Sequence, residues 1–398
     1  MDPRPAPAVF TRTVLVCVGL TFLLHVVTYL LNTQLPLHVV GLGGSHAQIG
    51  WLFAMSTGVA MLLRPQVGGW VDRHGARAVM LPGAGVLLVT MLALGVATSP
   101  LGLIAAMTGL GVSGALISTT GSVVVAAHSP AARRGEALSL YYVAASVGVA
   151  LGPAAGFALA DVGGMALNFG AVTALSLAVG LLTLTVRTPP AATAVADGVV
   201  RLWSSHAVPA SLALIVITTG HATVYAFLPL HAAAQGLGRI AWFFPLMSGC
   251  TILCRLVLRR ASDRHGRVRV LIPALLGVAA GNALLAAPPS MGSLVGAAAL
   301  LGCGNSMLYP TLVALVADRT PAHERGLAIG TLSGAWDVGV AVGSPLIALL
   351  VQSRGYSAGF LAAATMTLLG LLTFVLTERR RLAALAPVDD KTLDHRPT

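Results

Sequence analysis

Twelve stretches of about 20 or more apolar, almost uncharged residues follow one another along this chain of 398, and no other feature restricts its folding so tightly. Wound as a helix, a run of that length matches the hydrocarbon thickness of a bilayer. Lipid offers backbone N–H and C=O groups no partner, so each run must close its hydrogen bonds internally, which a helix does. The spans are expected near 14–40, 48–70, 77–98, 100–127, 136–160, 165–186, 208–233, 239–258, 268–288, 291–316, 326–350 and 356–377. Turn-forming clusters such as "GLGGSH", "HSPAARRGE", "AAPPS" and "DRTPAHERG" separate them. With 56% hydrophobic and 9% charged residues, against about a quarter charged in soluble domains, the chain cannot hide its apolar side chains in a water-soluble core. Arg4 and Arg12 precede the first run, but no small-residue cleavage pattern follows it, so a retained helix is expected rather than a signal peptide.

The net charge of +11 does not point to nucleic acid, because the basic residues punctuate apolar runs instead of gathering on one solvated face. They set orientation instead. Arg64 and Arg255 fall within runs and only Arg239 and Arg354 in one alternate set of loops; the rest of the 24 Lys and Arg occupy the other set and the two tails. The positive-inside rule therefore places both termini in the cytoplasm, with the chain a multi-pass protein of the cytoplasmic membrane. Cys17, Cys250, Cys254 and Cys303 all lie inside apolar runs and read as small fillers, not as a disulfide framework or a metal pair.

The second half of the sequence copies the first. "VDRHGARAVMLP" (Val71 to Pro82) returns as "SDRHGRVRVLIP" (Ser262 to Pro273). The spacing of 191 residues that separates Asp72 from Asp263 also relates Trp51 to Trp242, Arg64 to Arg255, Gly75 to Gly266, Gly111 to Gly302, Arg134 to Arg325 and Gly152 to Gly343. Each copy contributes six spans, an even number, so both enter the membrane from the same side and are related by an axis along its normal. The expected organisation is an all-α membrane protein of twelve helices in two pseudo-symmetric bundles, 1–186 and 208–378, joined by a cytoplasmic linker at 187–207 and ending in a cytoplasmic tail at 379–398.

Parallel six-helix halves, with a substrate cavity at their interface, are how the major facilitator superfamily is built. The chain resembles that superfamily in its residues as well. "GGWVDRHGAR" (Gly68 to Arg77) looks like the signature loop GxxxDRxGRR, and "RRASDRHGRV" (Arg259 to Val268) is a weaker echo of it. "GVALGPAAG" (Gly148 to Gly156) resembles the helix-five motif GxxxGPxxGG of proton-coupled drug antiporters, with Gly148, Gly152, Pro153 and Gly156 in place and Phe157 where the last Gly is expected. The resemblance implies a conformational latch made of Gly68, Asp72, Arg73, Gly75, Arg77, Glu136, Asp263, Arg264, Gly266 and Arg267. In it Asp72 would face the amino end of the eleventh helix near Gly326, and Arg73 and Arg77 would bridge to Glu136 when the cytoplasmic side closes. Ala76 departs from the pattern.

Of 13 acidic residues only Asp337 falls near the middle of a span, about 16 Å into the eleventh helix. Its burial costs on the order of 3 kcal/mol, so it calls for a role. Two are open: a proton-coupling acid, or a structural partner of Arg255, which lies about 12 Å into the eighth helix. Arg64 takes the matching place in the second helix, while Ser146 is the uncharged repeat counterpart of Asp337. On this reading Arg64 lacks a symmetric counter-ion and either attracts an anionic substrate group or snorkels toward the cytoplasm.

His25, Thr28, Tyr29 and Asn32 share one face of the first helix, and His221 with Tyr225 repeats the theme in the seventh. The resemblance makes both of these cavity-lining helices, so the two histidines are candidate proton carriers. Thr119, Asn305 and Tyr309 add polar groups to the fourth and tenth helices, where Pro310 is expected to break the winding locally. The expected function is secondary transport of a small organic molecule, by proton-coupled efflux or else proton-coupled uptake. An intramembrane enzyme is the rival from another class, but no HExxH or GxSxG stretch is present, and no GxxxxGK[ST] loop supports an ATP-driven pump. Substrate, protons and lipid are the expected partners of a monomer, with no metal or organic cofactor.

Overall fold

The structure, a computed structural model, describes residues 11–130, 133–186, 203–237, 240–258, 264–288, 290–321 and 324–385, with side chains through Arg379. Its regular elements are all helices: α1 (Arg12–Gly41), α2 (His46–His74), α3 (Ala76–Val96), α4 (Pro100–Ala127), α5 and α6 within Arg134–Leu184, α7 (Val208–Ala234), α8 (Phe243–Val257), α9 (Arg267–Ala286), α10 (Met291–Arg319), α11 (Arg325–Arg354) and α12 (Tyr356–Leu385). Helices α5 (134–162) and α6 (165–184) are one 51-residue stretch that doubles back at Gly163 and Gly164, the latter at φ 63°. These make the twelve crossings expected, so α1 begins and α12 ends on the same face, here called the terminal face. The loops between α1 and α2 and between α11 and α12 lie on the opposite, or far, face.

Local chemistry accounts for the helix ends. Ser45 caps α2 in a reciprocal pair with Gln48, Ser290 does the same for α10 with Ser293, and Ser99 caps α4 ahead of Pro100. Between α2 and α3, and again between α8 and α9, the chain turns on a glycine held at positive φ: Gly75 at φ 82°, ψ 154° and Gly266 at φ 89°, ψ 146°. The two signature loops thus share one backbone conformation, open to glycine and costly to residues with a Cβ. Helix α12 outruns its expected end at 377, and its Glu378 is buried in an ion pair with Arg319 of α10. Residues 187–202 of the expected linker and 386–398 of the expected tail lie outside the described residues. The end of the linker packs on α11, where the N–H of Ser204 donates to Thr331 Oγ1 at 2.9 Å.

Each bundle is knitted by small residues at equivalent positions. On α5, a Cβ added at Gly152 would stand 2.8 Å from the Val26 carbonyl and 2.9 Å from the Leu30 nitrogen of α1, and Gly148 and Gly156 meet the same helix. On α11, the repeat partner Gly343 presses equally closely on the backbone of Thr219 in α7. The halves meet through α2 against α11 and α5 against α8. At the far face Gly50 lies directly against Ser344, Pro345 and Ala348, His46 Nε2 shares a 2.9 Å hydrogen bond with the Tyr356 hydroxyl, and the Ala47 N–H donates to Gln352 at 3.0 Å. Toward the terminal face these helices separate: an added Cβ at Gly68, Gly326, Gly330 or Gly334 would meet nothing within 4 Å.

Gly152→Ala is therefore expected to destabilise the protein by about 1–3 kcal/mol, since both neighbouring groups are backbone and the helices must part. Gly68→Ala, equally helical but unopposed, serves as the control. Thermal midpoints of the purified proteins in detergent should fall for the first substitution and hold for the second; equal midpoints would disprove the close-packing account.

Candidate functional site

A cavity of about 840 Å³ lies between the bundles, within the size range of about 300–1,000 Å³ typical of drug-sized ligand sites. Its walls run from Thr21 to Asn32 on α1 and from Phe53 to Gly68 on α2, with parts of α4, α5, α7, α8, α10 and α11 completing them. The lining reaches Ala126, Gly326 and Gly330 near the terminal face but none of the residues that meet at the far face. The cavity is thus open at the end where the chain begins and sealed at the other. Every cavity residue expected from the sequence lines it: His25, Tyr29, Asn32, Arg64, Thr119, His221, Tyr225, Arg255, Asn305, Tyr309 and Asp337.

The charged groups pair differently from the depth argument. Asp337 meets Arg64 from the other bundle, with Nε and Oδ2 2.6 Å apart, and not Arg255. Two arginines at equal depth cannot be told apart by depth, and the crossing of α2 with α11 decides between them. Arg64 accordingly has the counter-ion that the sequence reading denied it, and does not snorkel away. The contact is ionic more than directional, since neither Nε nor Oδ2 meets the geometry of a hydrogen bond. Arg64 also donates from Nη1 to Ser118 Oγ at 3.3 Å. At the pseudo-symmetric place, Arg255 of α8 donates from Nη1 to Ser146 Oγ of α5 at 2.6 Å.

Ser118 owes its position to a feature that sequence reasoning missed. Helix α4 widens into a π turn over Ala115–Thr119, and the Tyr141 hydroxyl donates to the Ser118 carbonyl at 2.8 Å. Such widened turns often mark functional sites, and no proline or glycine pair announced this one. Helix α7 tightens similarly: the N–H of His221 bonds back to Thr218 at 3.0 Å, between Val208–Thr218 and Ala222–Ala234. The break expected at Pro310 does not occur, and α10 continues through it.

His25 is anchored, its Nδ1 donating to the Thr21 carbonyl at 2.7 Å, which fixes Nδ1–H as the protonated nitrogen of the neutral ring. His221 Nε2 is buried without a partner among the described residues, and its ring lies edge-on to Trp336 at 4.6 Å. Tyr29 and Tyr225, one from each bundle, meet edge to face at 5.0 Å, and the Tyr309 hydroxyl shares a 2.7 Å hydrogen bond with Ser333. The site therefore joins an apolar aromatic wall to a few fixed polar groups.

The latch residues are not gathered. Asp72, Arg73 and Arg77 are exposed, Glu136 pairs with its neighbour Arg133 at 2.9 Å, and Arg267 binds Asp318 at 3.1 Å. Arg264 is exposed and Asp263 lies outside the described residues. Separation of the bundles on the terminal face accounts for this, since the latch as expected forms only when that face closes. The cysteines lie within the helix packing, with Cys254 and Cys303 in thiol contact at 2.8 Å between α8 and α10.

Two helix bundles around a cavity that is sealed at one end, apolar over most of its wall and set with a few polar groups define a membrane carrier for small molecules. Comparison with known proteins gives its family: the Major Facilitator Superfamily model matches residues 17–249 and again 210–397, and the chain belongs to that family, whose members transport and are not enzymes. It is 32% identical over 157 residues to an uncharacterised MFS-type transporter of Salmonella typhimurium, a match covering 39% of this chain and 40% of the relative's length. It is 21% identical over 355 residues to the staphylopine export protein of Staphylococcus aureus, covering 85% of this chain and 89% of that one. The crystal structure of the nucleoside transporter NupG superposes with a TM-score of 0.73 over 93% of this chain and all of that one, at 16% identity.

Removing Arg64 strands the buried carboxylate of Asp337. Arg64→Leu is expected to destabilise the protein by about 3–5 kcal/mol, and the double substitution Arg64→Leu with Asp337→Leu to recover most of that loss. Thermal midpoints of the three proteins decide it: a single variant as stable as the parent would show that the pair does not bear on folding.

Proposed function

We propose that the protein is a secondary carrier of the cytoplasmic membrane that exports a small organic molecule in exchange for protons, by alternating access of the central cavity. The cavity, open at the terminal face, sealed by α2 and α11 at the far face and crossed at mid-depth by the Arg64–Asp337 pair, carries this reading. The arginine distribution assigns the terminal face to the cytoplasm, so the open cavity would receive substrate from inside. The name of the staphylococcal relative, which aligns over most of its own length, favours export.

The pair supplies a coupling device. A proton added to the Asp337 carboxylate removes the charge that holds Arg64, and the α2–α11 contact loses its tie between halves. Units 1–186 and 208–378, joined by 187–207, then rock about the site. Closure at the cytoplasmic face brings Asp72 to the amino end of α11 and Arg73 and Arg77 toward Glu136, while the Gly148, Gly152, Pro153 and Gly156 contact holds α5 to α1 throughout. His25 and His221, on either side of the cavity, are secondary proton sites. One chain contains the whole pathway, so a monomer suffices.

Inside-out proteoliposomes incubated with a labelled panel of amphiphilic small molecules test this directly. A proton gradient should drive accumulation of at least one of them with the wild type. Asp337→Asn should abolish gradient-driven accumulation by tenfold or more while solute exchange at equal concentration persists. Accumulation that ignores the gradient, or survives the substitution, would overturn the coupling, and transport only in the uptake direction would overturn export.

A further inference from the structure

The cavity holds one positive charge too many. Its lining contains two guanidiniums, Arg64 and Arg255, and a single carboxylate, Asp337. Asp337 is committed to Arg64, so Arg255 faces the cavity without a carboxylate among the described residues, and its Nε is buried without a hydrogen-bond partner. Its one side-chain hydrogen bond among the described residues is to the hydroxyl of Ser146 in the opposite bundle.

The repeat shows what Arg255 lacks. Arg64 and Arg255 are equivalent, and so are Asp337 and Ser146. Both arginines reach across to the opposite bundle at 2.6 Å, one to a carboxylate oxygen and the other to a hydroxyl. The hydroxyl offers neither the charge nor the second oxygen that a guanidinium fork can take. A guanidinium at this depth is costly to keep unless water or an anion meets it. We infer that the carrier's substrate is a small organic anion whose own carboxylate docks on Arg255, completing across α8 and α5 the ion pair that Asp337 completes across α2 and α11. The remainder of that molecule is apolar and carries a ring, because Tyr29, Tyr225 and Trp336 line the same cavity and Tyr29 meets Tyr225 edge to face within it. In the repeat-related geometry a bound carboxylate stands to Arg255 as Asp337 stands to Arg64, so an anion at α8 and α5 takes the place that an internal acid takes at α2 and α11.

This inference rests on the carrier reading but is measured without transport. The full-length protein in lipid nanodiscs is titrated calorimetrically with benzoate, 2-naphthoate and indole-3-acetate, each beside its own amide. At least one acid should bind about tenfold more tightly than its amide. Arg255→Gln should lower the acid to the affinity of the amide and leave the amide unchanged, which also shows that the fold survives. Arg255→Lys should keep part of the preference. Ser146→Asp, which gives Arg255 an internal carboxylate, should abolish it as completely as Arg255→Gln. The inference is overturned if no acid outbinds its amide, if Arg255→Gln weakens both alike, or if Ser146→Asp leaves the preference intact. Gradient-driven transport of neutral solutes with no carboxylate preference would sink the anion alone; a preference with no transport would sink the carrier reading alone.

Discussion

Among the described residues one ion pair, Arg64 with Asp337, ties the two halves of this protein in the middle of the membrane. Lipid makes that arrangement consequential. An exposed salt bridge is worth little because water competes for both charges, but at mid-depth either charge alone is expensive, so each holds the other in place. The helices that carry them, α2 and α11, also seal the far face through Gly50 and the His46–Tyr356 contact. The conformation of the cavity and the protonation of one carboxylate therefore share a structural element. The exchange proposed above would need no separate relay between sites, since the same two helices bear both.

Duplication explains why the site sits where it does, and its decay explains the site's chemistry. Equivalent glycines bring α5 to α1 and α11 to α7, and equivalent turns at Gly75 and Gly266 join the next helices, so the scaffold has kept its symmetry. The cavity has not. Asp337 has a serine for a counterpart, and His25 and His221 differ in that the first is anchored to a carbonyl while the second has a buried unpartnered nitrogen. Packing constrains both copies alike because every crossing must exclude lipid. The polar cavity is free to differentiate because water satisfies whatever the protein does not.

Most of the fold was legible because the signals that define it are local. Span lengths and the repeat follow from hydropathy and a fixed spacing, neither of which needs knowledge of neighbours. The lining face of α1 was legible for the same reason: His25, Thr28, Tyr29 and Asn32 share a stripe by helical geometry alone. The partner of Asp337 was not, because depth along a helix is one coordinate and the lateral arrangement of helices is another. Arg64 and Arg255 have the same depth by symmetry, and only the crossing of α2 with α11 separates them. Backbone irregularities were likewise hidden. Pro310, the local cue for a break, sits in an unbroken helix, while the π turn at Ala115–Thr119 has no cue but the tyrosine that satisfies its freed carbonyl, 23 residues on in sequence.

Opening on one face and close packing on the other follow from where bulk is absent. The far-face end of α2 offers Gly50 to α11, which lets backbones touch and leaves no path between the halves. At the terminal end Gly68 on α2 and Gly326, Gly330 and Gly334 on α11 are just as small yet have nothing against them. Small residues that face empty space are not needed for the conformation seen, but they are what a close approach of the same helices would require. Gly326, Gly330 and Gly334 thus leave the terminal end of α11 bare, while Gly339 and Gly343 hold the same helix to α7 within its own bundle.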